Sequence, residues 1–313
     1  MGTPVARVVA VGAGVIGLTT AVRLLEAGHR VDVLARDLPR ETTSVVAAAL
    51  WYPYRALPEE RVTAWGATTY AALVALADEP GSGVRLLEGT EVHAAPAPDT
   101  WWAAAVPRLD RVAAPPGYAD AWSFRAPVVD MPVHLDWLRG RVEALGGTVT
   151  RMSLGALPRP AADEVVVDCA GMGARLLAGD RSVAPVRGQV VHLAGVELDR
   201  WWLDAAGPTY VVPRSEVVVV GGTADEGEWS RTPDLGTATA LLQRATRLVP
   251  ELAGGHVVAH RVGLRPARPT VRLEAEGRVV HSYGHGGAGV TLSWGCADEV
   301  RDLVADLAGR AVR

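Results

Sequence analysis

Short apolar runs that alternate with amphipathic stretches organise this chain, and the clearest of them opens it. Residues 7–11, Arg-Val-Val-Ala-Val, form a β-branched run that is typical of a strand buried on both faces. After a glycine-rich turn, residues 18–27 place their apolar side chains on one helical face, and Gly28 ends that helix. Residues 30–35 predict a second strand. The start of the chain therefore predicts a strand–helix–strand unit.

Later segments repeat these patterns in a different order. Pro132 and the apolar spacing after it predict a helix that ends at Gly146, before two further parallel strands. Beyond residue 186, strand-like runs are separated by turns rather than helices, which predicts an antiparallel sheet. Strands are predicted over 84–87, 148–152, 164–167, 186–193, 210–213, 217–221, 257–263 and 278–282, helices over 62–77, 235–248 and 298–307, and an ordered loop over 39–60.

This order of elements predicts an α/β protein. We expect a Rossmann-type nucleotide-binding domain built from separated segments, with a mainly antiparallel α+β domain inserted into it. The expected bounds are 1–50, 132–185 and 263–313 for the first domain, and 51–131 and 186–262 for the inserted, substrate-binding domain.

Composition limits the class of partner. The 313 residues are 49% hydrophobic and carry a net charge of −4 without any basic block, so nucleic acid is not an expected partner. No stretch is long and apolar enough to cross a membrane, and no targeting signal is visible. We therefore expect a cytoplasmic protein. Cys169 and Cys296 are expected to be small buried side chains.

The chain contains no lysine, because all 31 of its basic residues are arginine. This excludes a Schiff-base lysine, and with it ordinary pyridoxal-phosphate chemistry. It also excludes the lysine of a Walker-type phosphate loop. If the chain acts on amino compounds, another cofactor must accept the electrons.

The glycine-rich turn is a dinucleotide-binding sequence in the right context, between a strand and a helix. Gly12 permits the tight turn, Gly14 leaves room for a pyrophosphate, and Gly17 lets helix and strand pack closely. The acidic residue expected at the end of the second strand is missing, and Asp37, beside Arg36, comes slightly late. The loop alone therefore leaves open whether the dinucleotide carries nicotinamide or flavin. The residues expected to bind it here are Gly12, Ala13, Gly14, Val15, Ile16, Gly17, Arg36 and Asp37.

Two later segments are more specific than the glycine loop. They are 262–269, Val-Gly-Leu-Arg-Pro-Ala-Arg-Pro, and 283–291, Tyr-Gly-His-Gly-Gly-Ala-Gly-Val-Thr. With 46–54, 187–189 and 209–213 they form an ordered set that resembles the D-amino-acid oxidase family from residue 5 to about residue 307. The resemblance implies that the cofactor is FAD and that the Rossmann-type domain is an FAD-binding domain.

The family resemblance also assigns residues. It implies that Arg265 and Tyr210 hold the carboxylate of the substrate, that the Gly287 carbonyl accepts from its amine, and that Tyr52 forms a pocket wall. It implies no general base. His285 is expected to stabilise its loop by hydrogen bonding, Arg268 to be a solvated or structural charge, and no metal is expected. The further residues expected to bind FAD are Thr43, Ser44, Ala49, Leu50, Val167, Arg265, Gly286, Gly287, Gly289, Val290 and Thr291, with Val167 at the adenosine end.

The implied reaction is the oxidative deamination of a neutral D-amino acid by hydride transfer to flavin N5, with O₂ as electron acceptor. Ala206 stands where some family members have a lid tyrosine, which predicts an open pocket for bulky neutral side chains. Ala224 stands where the acidic-substrate branch has arginine, so D-aspartate oxidase is the second interpretation. A nicotinamide-dependent dehydrogenase and a catalytically silent nucleotide-binding protein stay open as other classes. A homodimer is a further possibility.

Overall fold

The computed structural model describes residues 5–204, 207 and 209–310 of the chain. Within them the strands are β1 (Arg7–Val11), β2 (Arg30–Ala35), β3 (Val84–His93), β4 (Asp110–Val112), β5 (Asp120–Val129), β6 (Thr148–Arg151), β7 (Glu164–Asp168), β8 (Ala184–Ala194), β9 (Trp201–Asp204), β10 (Thr209–Pro213), β11 (Val218–Gly221), β12 (Asp225–Glu226), β13 (His256–Glu276) and β14 (Val279–His285). The helices are α1 (Val15–Glu26), α2 (Glu59–Leu76), α3 (Met131–Ala144), α4 (Ala174–Leu177), α5 (Leu235–Leu248) and α6 (Gly289–Arg310).

The parallel part of the sheet has the order β14–β7–β1–β2–β6, and every neighbouring pair in it is parallel. This confirms the predicted strand–helix–strand unit and the two returning strands. Gly28 has φ +89° just after α1, and its amide bonds the Leu25 carbonyl, so it ends the helix as predicted. Helices α1, α3 and α6 cover the face that carries Val8.

The second part of the sheet is mainly antiparallel and has the order β4–β5–β3–β9–β10–β11–β8–β13. Helix α5 packs on it, with Leu241 and Leu248 buried against Val191 and Val211. The α/β architecture with a Rossmann-type part and a mainly antiparallel part is therefore confirmed. The exact domain bounds stay a prediction, since β13 continues across the expected boundary at residue 263. None of the helices in the described part of the chain is long and apolar enough to span a membrane.

Several elements have other ends than the sequence predicts. Helix α1 begins at Val15 rather than Leu18, and β3 extends to His93. Strand β13 does not end at Gly263 but runs to Glu276, so Arg265 lies inside a strand rather than at its end. Pro266 fits there because it stands opposite Pro185, so neither residue has an amide to donate to the other. The pairing of β13 with β14 shifts register after Ala267.

Helix α6 is also longer than predicted, since it begins at Gly289 and not at residue 298. The glycines of α6 do not interrupt the helix, and one of them allows close packing against α2. At Gly295 an added Cβ would lie 2.4 Å from the Trp65 carbonyl oxygen, so α6 and α2 are in backbone contact there. The Gly295 amide donates to Thr69 Oγ1 at 2.9 Å across the same contact.

We predict that Gly295→Ala lowers the free energy of unfolding by about 3 kcal/mol, because the new methyl group meets backbone atoms that cannot rotate away. Urea unfolding of both proteins measures the difference. Gly140→Ala is the matched control, since Gly140 is an exposed residue inside α3 whose added Cβ meets nothing within 4 Å. That substitution should raise the stability by up to about 1 kcal/mol. Equal stability of the wild type and Gly295→Ala would contradict the close packing of α2 and α6.

Candidate active site

A cavity of about 1190 Å³ lies at the carboxyl ends of the parallel strands and continues onto the antiparallel part of the sheet. One end is formed by Asp37 after β2, and the other contains Arg265 on β13. Four strand spacings separate β2 from β13 in the sheet, which corresponds to about 19 Å. The cavity is thus long enough for a dinucleotide that lies across the strand ends, where α/β sheets bind such ligands.

The glycine loop forms the floor of the cavity between β1 and α1. Gly12 has φ +113°, and a Cβ there would lie 2.4 Å from the Cys169 carbonyl oxygen. A Cβ on Gly17 would lie 1.9 Å from the Gly12 carbonyl oxygen, so Gly17 brings helix and strand together as predicted. Gly14 lines the cavity at the start of α1, and the Val15 amide donates to Ser44 Oγ at 3.0 Å. The helix N-terminus therefore faces the cavity with its partial positive charge.

Arg36 and Asp37 form an ion pair at the cavity edge. Arg36 donates from Nε to Asp37 Oδ1 at 3.1 Å and from its terminal nitrogen to Oδ2 at 2.6 Å. These bonds from Arg36 hold the pKa of Asp37 below its usual value, and the charge of Arg231 acts in the same direction. Asp37 is therefore an acceptor beside the expected position of a ribose.

The segment after the ion pair forms one side wall. Thr43 and Ser44 lie in a 3₁₀ turn, and Thr43 Oγ1 donates to the Leu264 carbonyl at 3.2 Å. Ala49 has φ +59°, and its amide carbonyl accepts from the Val129 amide at 2.9 Å. This left-handed backbone carries the chain from the wall into the buried segment at Trp51. Leu50 follows Ala49 along the cavity.

The segment 286–291 is helical, although the sequence predicts the last helix only from residue 298. Gly286 to Ala288 form a 3₁₀ turn, and Gly289, Val290 and Thr291 are the first turn of α6. A Cβ on Gly287 would lie 2.9 Å from Tyr54 Cδ1, so glycine makes room for the Tyr54 ring. The second helix N-terminus at this cavity therefore lies next to Arg265.

His285 precedes this turn and does not behave as predicted. Its side chain is buried at the cavity, and Nε2 has no hydrogen-bond partner among the described residues. Burial lowers the pKa of His285 to about 4, so the ring is neutral near pH 7. A buried nitrogen without a protein partner beside a cavity is a position where a ligand would supply the missing bond.

Arg265 extends its guanidinium across Gly188 on β8. A Cβ on Gly188 would lie 2.4 Å from Arg265 Cζ, so only glycine permits this path. One terminal nitrogen donates to the Thr223 carbonyl at 2.8 Å. The ion pairs of the described residues include none with Arg265. Because a guanidinium has five N–H donors, most of them stay available to an anionic ligand in the cavity.

Tyr210 also lies across a glycine of a neighbouring strand, as Arg265 does. It stands opposite Gly221 of β11, and a Cβ on Gly221 would lie 2.3 Å from the tyrosine ring. Tyr210 lines the cavity together with Arg265. Gly188 and Gly221, on the paired strands β8 and β11, therefore let an arginine and a tyrosine lie against the sheet at the same cavity.

Tyr52 forms the wall beyond these two side chains. Its hydroxyl donates to Glu91 Oε1 at 2.7 Å, and its ring meets Trp102 edge-on at 5.4 Å between centroids. Thr291 Oγ1 accepts from the Tyr52 amide at 3.1 Å and donates to its carbonyl at 3.0 Å. The hydroxyl of Thr291 thus positions Tyr52 instead of lining the cavity.

The cavity brings together most of the residues predicted from the sequence. Three of them lie outside its wall: Gly17, which packs on Gly12; Val167, which is fully buried in β7; and Thr291. The wall also includes residues that the sequence did not single out, namely Tyr54, Arg175, Arg181, Leu203, Val212, Thr223, Trp229 and Arg231.

The remaining predictions concern Arg268, the two cysteines, metal binding and the size of the substrate pocket. Arg268 donates to Asp180 at 2.9 Å and is a structural charge, and both cysteines are buried, as predicted. Trp102 and Trp201 are core residues. Among the described residues no group of His, Cys, Asp and Glu is arranged to hold a metal ion. Ala206, on which the open-pocket prediction rests, lies outside the described residues.

A family model described as FAD dependent oxidoreductase matches residues 7–303. The chain belongs to this family. Its cofactor is therefore FAD. The cavity is long enough for this cofactor, and two helix N-termini and the unpartnered His285 nitrogen border it. The sequence is 49% identical to a D-amino-acid oxidase of Rubrobacter xylanophilus, over 99% of this chain and 98% of the relative.

A second relative, a D-amino-acid oxidase of Streptomyces coelicolor, is 46% identical over 96% of this chain and 97% of its own length. Among solved structures, glycine oxidase from Bacillus cereus has a TM-score of 0.81 at 17% identity and covers 96% of this chain and 94% of that protein. That likeness shows the shared fold. The family membership decides against the nicotinamide-dependent dehydrogenase.

We predict that Gly14→Ala weakens FAD binding by about tenfold or more, because the methyl group would lie 3.1 Å from Ser44 Oγ between helix and ligand. Gly14 has φ −77°, so alanine fits the backbone without strain and the apoprotein should unfold as the wild type does. Fluorescence titration of the apoprotein with FAD measures the dissociation constant. Gly140→Ala is the control and should bind FAD normally. An unchanged dissociation constant for Gly14→Ala would place the pyrophosphate elsewhere.

Proposed function

We propose that the chain is a D-amino-acid oxidase that converts neutral D-amino acids to 2-oxo acids, ammonia and hydrogen peroxide. The observation that carries this proposal is the pairing of Arg265 and Tyr210 in the cavity of an FAD-dependent enzyme. Arg265 has no carboxylate partner among the described residues, and a planar guanidinium suits the carboxylate of an amino acid. Both relatives reported above carry the same activity in their names.

In this proposal each residue has a defined task. Arg265 forms a bidentate pair with the substrate carboxylate, and the Tyr210 hydroxyl donates to the same group. The Gly287 carbonyl, at the start of α6, accepts from the substrate amine. Fixed positions for the carboxylate and the amine leave one enantiomer with its Cα hydrogen directed at the cofactor. Enantiomer choice then follows from positioning, and the mechanism requires no general base.

FAD would be held by the glycine loop, Asp37, the wall from Thr43 to Leu50 and the start of α6. When bound, it supplies the electron acceptor for the hydride of Cα and passes two electrons on to O₂, which gives hydrogen peroxide. The protein orients the substrate and keeps bulk water away from Cα. The imino acid that leaves the cavity hydrolyses in water to the 2-oxo acid and ammonia.

The cavity wall near Tyr210 supports a neutral substrate side chain. Tyr52, Tyr54, Leu203 and Val212 line the cavity there, and none of them carries a positive charge. Arg231, another cavity arginine, acts on Asp37 at the opposite end. A D-aspartate oxidase would need a cation for the second carboxylate. D-aspartate oxidase is therefore the second candidate, and the homodimer and the cytoplasmic location stay predictions.

The direct test combines a visible spectrum with peroxide assays on the purified protein. We expect flavin absorption, rapid peroxide formation with D-alanine and D-methionine, and none above background with L-alanine. The specificity constant kcat/KM for D-aspartate should be about hundredfold or more below that for D-methionine, because its second carboxylate finds no cation. Preference for D-aspartate would favour the second candidate, and a flavoprotein without turnover of any D-amino acid would refute the proposal.

We predict that Arg265→Met lowers kcat/KM for D-alanine by about hundredfold or more while FAD stays bound, because the substrate carboxylate loses its charged partner. Steady-state kinetics and the flavin spectrum measure the two effects separately. Arg261→Met is the matched control, since Arg261 is an exposed arginine on the same strand and does not line the cavity. It should behave as the wild type. Equal losses in the two variants would remove Arg265 from the substrate site.

A further inference from the structure

A buried carboxyl group lies behind the substrate end of the cavity. Gly221, Tyr210, Leu203 and Glu91 stand opposite one another on four adjacent strands. Residues that are directly opposite in a sheet point to the same face. Because Tyr210 and Leu203 line the cavity, Glu91 also points to the cavity side of the sheet, although its side chain is covered and the residue is only 3% exposed.

Few groups meet this carboxyl. The Tyr52 hydroxyl donates to Oε1 at 2.7 Å, and His93 Nε2 lies 3.6 Å from the same oxygen. The charges of Asp120 and Asp204 act on His93 and not directly on Glu91. No ion pair of the described residues joins Glu91 to an arginine. The bond from Tyr52 is therefore the main interaction of this carboxyl group.

Tyr52 in turn depends on this bond for its orientation. Thr291 fixes its backbone, but the ring can still rotate about its side-chain torsions. One edge of the ring packs against Trp102, and the opposite side borders the open cavity. The Tyr52 hydroxyl also makes a side-chain hydrogen bond with Trp102, but an indole N–H can only donate. Without Glu91 the hydroxyl proton would therefore lack an acceptor, and rotation into the cavity would let it reach water.

We propose that Glu91 is a positioning residue that holds the Tyr52 ring against Trp102, so that the ring forms a fixed wall for the substrate side chain. The inference rests on the proposed function of the site. A wall that moves into the cavity obstructs a large side chain more than a small one. Glu91 therefore sets how well large neutral D-amino acids bind and has little effect on D-alanine.

The ionisation of Glu91 makes this role visible in a pH profile. Burial raises the pKa of Glu91 to about 7, although the bond from Tyr52 opposes the shift. The carboxylate accepts a stronger hydrogen bond than the neutral acid, so the wall is held more firmly above pH 7. Tyr52 and His93 face the carboxyl directly. Burial raises the pKa of Tyr52, so its hydroxyl keeps its proton. Burial lowers the pKa of His93 below its ordinary value, so its ring is mainly neutral at pH 7 and above.

The same shift predicts how stability depends on pH. The unfolded chain releases the Glu91 proton near its ordinary pKa of about 4.3, whereas the folded chain keeps it up to about pH 7. Between these values the folded state binds more protons than the unfolded state. The contribution of Glu91 to stability is therefore greatest below about pH 4 and falls as the pH rises to about 7. Glu91→Gln should lack this slope.

The test compares the holoenzyme with its Glu91→Gln variant, which keeps the volume of the side chain and removes its charge. The quantity measured is the ratio of kcat/KM for D-phenylalanine to that for D-alanine between pH 5.5 and pH 8.5, a range chosen around a pKa of about 7. In the wild type the ratio should rise through about pH 7. In Glu91→Gln it should be about three- to tenfold lower above pH 7, mainly through KM, and should no longer change with pH.

Two further variants make the result decisive. Tyr52→Phe removes the hydrogen bond that Glu91→Gln only weakens, so it should lower the ratio at least as much, and the double variant should add little to the change made by Tyr52→Phe. Glu88→Gln, an exposed carboxyl on the same strand, is the control and should match the wild type. Independent, additive effects of Glu91→Gln and Tyr52→Phe would overturn the proposal, as would a pH step that persists in Glu91→Gln.

A crystal structure of the Glu91→Gln holoenzyme gives a readout that does not depend on turnover. A Tyr52 ring displaced from Trp102 would support the positioning role, and a ring in its original place would overturn it. Should Glu91→Gln not fold, the structure and the substrate ratio of Tyr52→Phe decide in the same way. If the wild type binds FAD but oxidises no D-amino acid, the proposed function fails, and the crystal structure still decides on Glu91.

Discussion

Strand β13 is the constraint on which both parts of the molecule depend. It pairs with β8 from His256 to Ala267 and with β14 from Ala267 to Glu276. Because β14 also pairs with β7 in the parallel layer, this one strand joins the Rossmann-type part to the antiparallel part in a continuous sheet. Arg265 lies close to the point where β13 changes from one context to the other. The position of the arginine relative to the dinucleotide loop is therefore set by backbone pairing and not by a flexible connection.

Glycine residues, which leave space because they have no side chain, are the second feature that shapes the site. Gly12 and Gly17 remove atoms where β1, α1 and the segment after β7 are in backbone contact, and this forms the dinucleotide end. Gly188 and Gly221 remove atoms where a guanidinium and a phenol ring must lie flat against a sheet. A methyl group at Gly188 or Gly221 meets a side chain that can move, so it would disturb the position of that side chain more than the fold. The two ends of the cavity thus use glycine for different purposes, one for packing and one for placing functional groups.

Local patterns account for the part of the fold that the sequence predicted well. The unit from β1 to β2 follows from β-branched runs and a helical period, and its glycines act within a few residues of the turn they permit. Strand β13 was cut short because Gly263, Pro266 and Pro269 are strand breakers by propensity, whereas here the pairing with β8 and β14 outweighs them. The start of α6 was missed for the same reason, since the glycines in and just before this helix serve contacts with α2 and Tyr54 that a local pattern does not contain.

The residues around the substrate end differ in how far they could be predicted. Arg265, Tyr210 and Gly287 lie in short motifs that resemble a known family, so the sequence identified them. Glu91 and Leu203 do not, because their importance comes from pairing between β3, β9 and β10 across more than a hundred residues of sequence. A lone glutamate in a strand is usually solvated, and nothing in its own neighbourhood indicates burial.

The two ends of the cavity differ in how their charged groups are paired. At the dinucleotide end the charges are paired within the protein, as Arg36 and Asp37 show, so that a ligand there is bound largely through backbone amides and helix termini. At the substrate end Arg265 has only a carbonyl partner among the described residues, and Glu91 has only the Tyr52 hydroxyl and a neutral histidine close by. An unpaired cation in a partly buried position is costly unless an anion occupies it, and a buried carboxyl nearby makes a second anion unfavourable. This arrangement favours a ligand with a single carboxylate and an uncharged side chain, as in a neutral amino acid.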